Sequence, residues 1–242
     1  MPDRAKSFLV VAACSLLVLL QVWRFRGRDV AATNAPPEQF SAARAMTVLR
    51  ETIPPAPHPV GTVAHTGVRE AIVAQLTALD YQVRIQKRFS CNAHNVCAPI
   101  ENIVATQAQR HDPAAAHVIV AAHYDSVPAG PGVSDDGTGV ATLLEIARAV
   151  RHKQFAHPVT FLIDDGEEAG LLGAEAFAAD PELAPTAGFV INLEARGTTG
   201  PAVLFETSRN NRWMLPDLAR ALPRPIGSSF FVTIYDLLPN DA

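Results

Sequence analysis

Four carboxylates stand within five residues at the end of one apolar segment. Residues 161–168 read FLIDDGEE, so Asp164, Asp165, Glu167 and Glu168 follow a run that is typical of a buried strand. Like charges at this spacing repel each other unless solvent or a cation compensates them. A solvated surface loop is one explanation of the pattern, and a site for a divalent cation is the other.

Two further apolar runs end in side chains that can bind metals. His123 follows the run VIVAA, and Glu194 follows the run VINL. In open α/β sheets, binding sites form at the carboxyl ends of the strands. We therefore expect His123, the Glu167–Glu168 pair and Glu194 to meet at one edge of a sheet.

A loop rich in proline and glycine joins the first two of these runs. Residues 123–139 read HYDSVPAGPGVSDDGTG, which predicts an irregular path that brings Asp135 and Asp136 back towards His123. Imidazole nitrogen together with carboxylate oxygen suits borderline cations such as zinc. Two cations that share a carboxylate lie about 3.5–4 Å apart and can activate a water molecule for hydrolysis. An adjacent carboxylate not bound to metal would then accept the proton of that water.

The elements that must position these residues alternate between helical and strand patterns. Apolar residues at three- to four-residue intervals predict helices, and short continuous or alternating apolar runs predict strands. Helices are predicted at 40–53, 63–80, 139–153, 169–180 and 213–222, and strands at 81–89, 101–107, 117–125, 158–164, 187–195 and 201–207. This alternation predicts an α/β fold, with a central mixed, mostly parallel sheet between two helical layers.

The composition limits the classes of function. The chain has 242 residues, of which 48% are hydrophobic and 18% charged, enough for one sizeable core. Its net charge is −4, but residues 1–29 hold five basic and two acidic groups, which leaves 15 basic and 22 acidic groups in residues 30–242. Such an acidic balance argues against nucleic acid as a partner.

The N-terminus has the pattern of a membrane segment. Residues 7–23 are apolar and uncharged, with Arg4 and Lys6 before them and three arginines after them. A helix of this length spans roughly 25 Å, close to the lower limit for crossing a bilayer. We favour an uncleaved anchor within residues 1–29 over a cleaved signal or a buried helix. Residues 30–44 then form a linker and the start of the first helix of the globular part.

Two of the three cysteines lie close together. Cys91 and Cys97 bracket the sequence NAHNV, whereas Cys14 lies inside the N-terminal apolar run. An exported domain meets an oxidising compartment, so we favour a short-loop disulfide between Cys91 and Cys97. Free thiols, or a metal site that includes His94, are the alternatives.

Three blocks of the sequence resemble a known family. HYDSVPAGPGVSDDGTGVATLLEIAR, DDGEEAGLLGAEAF and NLEARGTTG are similar, in order and spacing, to the signature blocks of the zinc-dependent aminopeptidases of metallopeptidase family 28. The NLEA form, with PHPVGT upstream, is closest to the membrane-anchored vacuolar and endoplasmic-reticulum branch. The resemblance implies a zinc exopeptidase fold over residues 45–242, peptide substrates, and a peptidase domain on the extracytoplasmic (periplasmic or lumenal) side of a membrane.

The resemblance also implies a role for each residue of the candidate site. Two zinc ions are expected, with Glu167 as the general base and Asp125 orienting the imidazole of His123. The expected metal ligands are His123 and Glu194 for the first zinc, Glu168 for the second, and Asp135 as the bridge. The peptide bond between residues 135 and 136 is a candidate for the cis form. Asp136, Asp164 and Asp165 are expected to be turn, helix-cap or solvated residues.

One feature departs from the family pattern. The family normally supplies a further histidine ligand to the second zinc from a C-terminal loop, but no histidine follows His157 here. We therefore expect a domain that lacks its C-terminal part, with doubtful aminopeptidase activity as it stands. A non-catalytic ectodomain that binds through the same fold is the alternative, and a glutaminyl cyclase with one zinc is a third hypothesis.

Overall fold

The computed structural model describes residues 2–24, 31–107, 115–195, 202–208, 210–222 and 226–227. The chain divides into two compact units. One comprises Val30–Arg196 with the last two residues, and it contains the sheet and the candidate site. The other comprises residues 1–29 and 197–240, and it contains the first and last helices, α1 (Pro2–Arg24) and α6 (Leu215–Ala221).

The sheet of the larger unit has five strands in the order β1-β2-β4-β3-β5. Strand β3 pairs in parallel with β4 and β5, whereas β2 pairs antiparallel with β1 and β4. Four strands therefore point the same way and β2 alone opposes them, which confirms the predicted mixed, mostly parallel sheet. The strands are β1 (Tyr81–Cys91), β2 (Cys97–Gln107), β3 (His117–His123), β4 (Val159–Asp164) and β5 (Ala187–Asn192).

Helices cover both faces of this sheet. On one face, Phe161 and Ile163 of β4 share a core with Ile72 and Leu143 from two different helices. On the other face, Leu162 packs with Phe177. Successive residues of a strand point to opposite faces, so the continuous apolar run of β4 serves both cores. The helices are α2 (Ala42–Thr52), α3 (Val63–Ala78) and α4 (Gly137–Val150) on the first face, and α5 (Leu172–Ala178) on the second. The three-layer α/β/α architecture is thus confirmed.

The predicted strand over residues 201–207 is not formed within the described residues 202–208. Leu204 makes one isolated parallel bridge to Gly227. An apolar run has the composition of a strand, but it becomes one only where a neighbouring strand pairs along its length. Helix α6 lies within the predicted range 213–222.

Helix α1 contains the apolar N-terminal segment. Residues Lys6–Trp23 have a mean hydropathy of 1.9. Among the described residues, α1 is the one helix long and apolar enough to cross a membrane, judged by length and composition.

The hairpin of β1 and β2 is closed by a disulfide. Cys91 and Cys97 face each other in the strand register and are bonded, with an S–S distance of 2.11 Å. The favoured pairing is therefore present. Because both thiols are used in the bond, they are not available to hold a metal together with His94.

Candidate active site

The ends of three adjacent strands bring the predicted residues together. His123 is the last residue of β3 and lies opposite Asp164, the last residue of β4. Asn192 ends β5 opposite Ala121, so Glu194 stands two residues beyond that strand. Because these strands are parallel, their carboxyl ends share one edge of the sheet, as expected from the sequence.

His123 is the centre of the cluster. Its Nε2 atom lies 3.2 Å from Asp135 Oδ1, 3.9 Å from Glu167 Oε2 and 4.0 Å from Glu194 Oε1. The imidazole is buried, whereas the side chain of Asp135 is 55% exposed. The carboxylates of Asp135, Glu167 and Glu194 therefore converge on the imidazole at the end of β3.

The potential metal-binding atoms fall into two groups, each within 4.8 Å. One group is His123, Asp135 and Glu194, and the other is His123, Glu167 and Glu168. The first group is the set expected for the first zinc. Asp135 and Glu168 fall in different groups, so the described arrangement does not gather the ligands expected for the second zinc around one point.

Asp125, two residues after β3, contacts the turn of residues 166–171 that carries both glutamates, which we call the glutamate turn. Its Oδ1 atom lies 3.4 Å from His123 Nδ1 and accepts a hydrogen bond from the backbone of Glu167 at 3.0 Å. Its Oδ2 atom accepts from the backbone of Glu168 at 3.2 Å. The carboxylate is buried. It therefore lies between the imidazole and the glutamate turn and binds the backbone of that turn.

The Asp135–Asp136 peptide bond is cis, as the resemblance implies. The buried Asp136 side chain accepts a hydrogen bond from Gly139 N at 2.9 Å and caps α4. This is the helix-cap role expected for Asp136. A Cβ atom at residue 139 would collide with the Asp136 carboxylate, so glycine is needed there. The cap anchors the loop beside Asp135.

The cluster carries an excess of negative charge. Burial raises the pKa of Glu167, and although His123 lowers it, Glu194 and Glu168 bring it to about 8. Burial likewise raises the pKa of Glu194 to about 7. Burial would lower the pKa of His123, but the carboxylates of Asp125 and Asp135 beside its two ring nitrogens raise it to about 12. Without a metal, the pKa of Glu167 thus lies above neutral pH and the pKa of Glu194 lies close to it, because their charges are poorly compensated.

These residues suit a borderline divalent cation. Glu167 Oε1 is buried and has no hydrogen-bond partner among the described residues, although a buried carboxylate oxygen normally has one. Imidazole nitrogen and carboxylate oxygen within a few ångströms of each other are typical zinc ligands.

The sequence profile described as peptidase family M28 matches residues 102–237, more than half of the chain. The chain belongs to peptidase family M28. The matched region includes the proposed base and all the expected ligands of the candidate site.

Curated relatives of this M28 chain carry the name vacuolar membrane protease. The protein of Candida albicans is 35% identical over 150 residues, which cover 62% of this chain and 18% of the relative. That of Lachancea thermotolerans is 39% identical over 114 residues, which cover 47% and 12%. The matched part of the chain therefore spans less than one-fifth of the length of these relatives.

Solved structures share the fold of the M28 chain. A Zn-dependent exopeptidase from Parabacteroides distasonis has a TM-score of 0.63 at 21% identity and covers 84% of each chain. A glutaminyl cyclase from Porphyromonas gingivalis has a TM-score of 0.62 at 24% identity, over 81% of this chain and 79% of its own. A leucine aminopeptidase precursor from Bacteroides thetaiotaomicron has a TM-score of 0.60 at 21% identity, over 78% and 72%. At these identities the likeness establishes the fold alone.

Asp165 differs from its expected role as a turn, cap or solvated residue. It is fully buried, lies 2.7 Å from His65 Nε2 and accepts a hydrogen bond from Glu101 N at 2.8 Å. His65 stacks on Tyr124 with ring centroids 4.7 Å apart. This buried network ties α3 and β2 to the residue before the glutamate turn. No spacing in the sequence marks it, because His65 and Asp165 are 100 residues apart.

A cavity of about 180 Å³ adjoins the cluster. It is lined by His123, Glu167 and Glu194 and by apolar side chains that include Phe177 and Val190. Asp164 also lines it, and burial raises the pKa of this carboxyl to about 7. The candidate site therefore opens beside an apolar wall.

Proposed function

We propose that this M28 chain is a zinc-dependent exopeptidase that removes N-terminal residues from peptides. The observation that carries the proposal is that the potential ligand atoms of His123, Asp135 and Glu194 lie within 4.8 Å of one another. The Glu167 carboxylate lies 3.9 Å from the same imidazole. Membership of a peptidase family supports the reaction class, and the zinc-type ligand chemistry supports the metal.

The proposed ligands divide between two metal positions. His123 and Glu194 would hold the first zinc and Glu168 the second, with Asp135 as the shared ligand. Bound zinc would acidify a water molecule and polarise the carbonyl of the peptide bond that is cleaved.

Glu167 is proposed as the general base. Its carboxylate accepts a proton from the attacking water and returns it to the departing amine, so that the residue ends each cycle in its starting state. Two features support this role. One carboxylate oxygen is buried without a hydrogen-bond partner among the described residues, and the environment raises the pKa of Glu167 towards neutral pH. A base works best when its pKa is near the working pH.

Asp125 is proposed to orient the metal-binding imidazole. A carboxylate beside the second ring nitrogen fixes the ring direction and makes the imidazole a better ligand. The hydrogen bonds of Asp125 to Glu167 N and Glu168 N give it a second effect. One side chain then sets the distance between a ligand and the base.

The proposed location is a membrane surface. Residues 1–29 form the anchor, residues 30–44 connect it to the globular part, and residues 45–242 form the peptidase domain on the extracytoplasmic side. The apolar helix α1 supports an anchor, and the Cys91–Cys97 disulfide supports an oxidising compartment.

The test uses the full chain purified in detergent. Zinc content is measured by elemental analysis, and hydrolysis of aminoacyl anilides is followed for the wild type, Glu167→Gln and the control Glu175→Gln, which alters an exposed glutamate of α5. We expect bound zinc in all three proteins and a loss of turnover on the order of 10²–10⁴-fold in Glu167→Gln alone. Zinc content near zero, without turnover, would favour the non-catalytic binding module.

Glutaminyl cyclisation is the second candidate function. It is favoured by the gathering of the expected first-zinc ligands around His123, while Asp135 and Glu168 fall in different groups, because one metal position is then better formed than the other. Incubation with a peptide that begins with glutamine separates the two reactions. Cyclisation releases ammonia and leaves the chain length unchanged, whereas an exopeptidase releases free glutamine.

A further inference from the structure

The turn that carries the glutamates has an irregular backbone. Residues 166–171 connect β4 to α5, and Gly166, Gly170 and Leu171 have φ angles of 70°, 105° and 61°. Leu171 is in the left-handed region, which costs a residue with a branched side chain about 1 kcal/mol or more. Surrounding contacts must therefore hold this turn in shape. Asp125 supplies them at its beginning, through the backbone of Glu167 and Glu168.

The end of the turn is held by a residue of the β1–β2 hairpin. The Asn92 Nδ2 group donates to the carbonyl oxygens of Ala169 at 3.4 Å and Gly170 at 3.3 Å. The approach is close, since a Cβ atom at residue 170 would collide with the Asn92 amide nitrogen. The glutamate turn thus lies between the Asp125 carboxylate and the Asn92 amide.

The Asn92 side chain is itself fixed by the hairpin. Its Oδ1 atom accepts hydrogen bonds from His94 N at 2.9 Å and Val96 N at 3.1 Å, and its backbone N–H donates to Val96 O at 3.0 Å. The disulfide between Cys91 and Cys97 links the two strands at the base of the hairpin turn, residues 92–96. The disulfide therefore restrains the hairpin turn, and Asn92 of that turn contacts the glutamate turn, which carries the proposed base Glu167.

We propose that Asn92 is a positioning residue for the Glu167–Glu168 turn and that the Cys91–Cys97 disulfide keeps it in place. Activity then depends on the redox state of the hairpin. Both cysteines are exposed, so a soluble reductant can reach them. With a phosphine, the S–S bond breaks, the two sulfurs become thiols, and the phosphine takes up the oxygen of one water molecule to become a phosphine oxide. The effect on activity rests on the proposed function, but the effect on the turn does not.

The first experiment separates the two ends of the Asn92 side chain. Asn92→Asp keeps an oxygen that can accept from His94 N and Val96 N, but it loses the amide that donates to Ala169 and Gly170. Asn95→Asp makes the same chemical change at an exposed position of the hairpin turn and is the matched control. Both variants are prepared in the full chain, and folding is checked by the unfolding midpoint.

Amide hydrogen exchange is the readout that does not depend on catalysis. We expect residues 166–172 to exchange on the order of 10-fold faster in Asn92→Asp, because local opening becomes easier when one side of the turn is released. In Asn95→Asp the exchange of this segment should match the wild type. Unchanged exchange in Asn92→Asp, or an equal increase in both variants, would overturn the positioning role.

Kinetics then test the consequence for the reaction. We expect kcat to fall about 10-fold in Asn92→Asp while KM stays within about twofold, as for other groups that orient a metal site from outside it. The double variant Cys91→Ser/Cys97→Ser should show the same faster exchange. Treatment with tris(2-carboxyethyl)phosphine should produce it in the wild type and have no effect on the double variant.

Two results would contradict the role of the disulfide. One is a double variant whose turn exchanges like the wild type, and the other is an equal response of both proteins to the phosphine. If the wild type does not hydrolyse peptides, the proposed function fails. Hydrogen exchange still decides the positioning role of Asn92 in that case.

Discussion

Glu145 and Glu167 lie in the same unit, but the negative charge of Glu145 is compensated by arginines and, among the described residues, that of Glu167 is not. Glu145, on α4, is almost fully buried and receives hydrogen bonds from Arg148 Nε at 2.7 Å, Ser41 N at 2.8 Å and Arg44 Nε at 3.0 Å. Burial alone would raise its pKa, but these donors lower the pKa of Glu145 below its ordinary value. The protein itself supplies the cations here.

Among the described residues, Glu167 and Glu194 beside His123 have no ion pair with an arginine or a lysine. The ion pairs that the described residues give to Glu167 and Glu194 are with His123. The pKa values of Glu167 and Glu194 are raised to about 8 and 7 as a result of burial and of neighbouring carboxylates. Burial also raises the pKa of Asp136 to about 9. The environment therefore favours the charged form of a glutamate at Glu145 and shifts the pKa of the glutamates near His123 up to neutral pH or above.

This contrast separates a structural carboxylate from carboxylates that suit an external cation. Two arginines and one backbone amide balance Glu145, which ties α4 to the start of α2. The His123 cluster carries an electrostatic cost that a bound divalent ion would remove.

The pH dependence of the metal-free protein gives the largest expected effect. Folded Glu167 keeps its proton up to about pH 8, whereas the unfolded residue loses it near 4.5. Between these values the folded state binds more protons, so stability falls as pH rises. In the presence of a chelator we expect the unfolding midpoint to drop by about 10 °C or more between pH 5 and pH 8, measured by calorimetry.

The control for this prediction is Glu167→Gln, which removes one of the raised carboxyl groups. Its midpoint should fall less steeply over the same range, and added zinc should flatten the curve of the wild type. Equal slopes for the two metal-free proteins would show that Glu167 is not held in its protonated form.

Removal of the compensated carboxylate gives the second effect. Glu145→Ala removes the carboxylate partner of Arg44 and Arg148, which keep backbone carbonyl acceptors, and leaves Ser41 N without its acceptor. We expect a loss of about 2–3 kcal/mol in the free energy of unfolding, less than for a fully buried pair because the arginines are partly exposed. Zinc affinity should not change. Denaturant unfolding measures the loss, Glu175→Ala is the exposed control, and a change below about 0.5 kcal/mol would contradict the structural role.

Asp125→Asn gives the smallest of the three effects. Asp125 accepts backbone hydrogen bonds, as Glu145 does, but it also lies beside His123. The amide can accept from only one of Glu167 N and Glu168 N, and it removes the charge beside His123. We expect zinc affinity and kcat to fall about 10–100-fold, and the unpaired backbone N–H to lower the free energy of unfolding by about 1 kcal/mol. Competition with a zinc chelator measures the affinity. Asp80→Asn, at an exposed residue with a φ angle of 65°, is the control and should match the wild type.

Most of the strands and helices followed from local patterns. The continuous apolar run of β4 predicted a strand covered on both faces, and Leu162 and Ile163 do face opposite cores. The run at 201–207 has a similar composition, but Leu204 makes only one isolated bridge within the described residues. Composition specifies the tendency to form a strand, whereas pairing depends on another segment of the chain.

Local apolar runs were enough to predict which residues stand at the ends of the parallel strands. His123, Glu167 and Glu194 could be placed at one edge because parallel strands end together. How their charges are compensated became visible in the folded chain. It brings His65 to Asp165 and Arg44 to Glu145 across about a hundred residues, and it places the Asn92 amide against the glutamate turn. Electrostatic energy depends on distance and burial in space, and separation along the chain specifies neither of them.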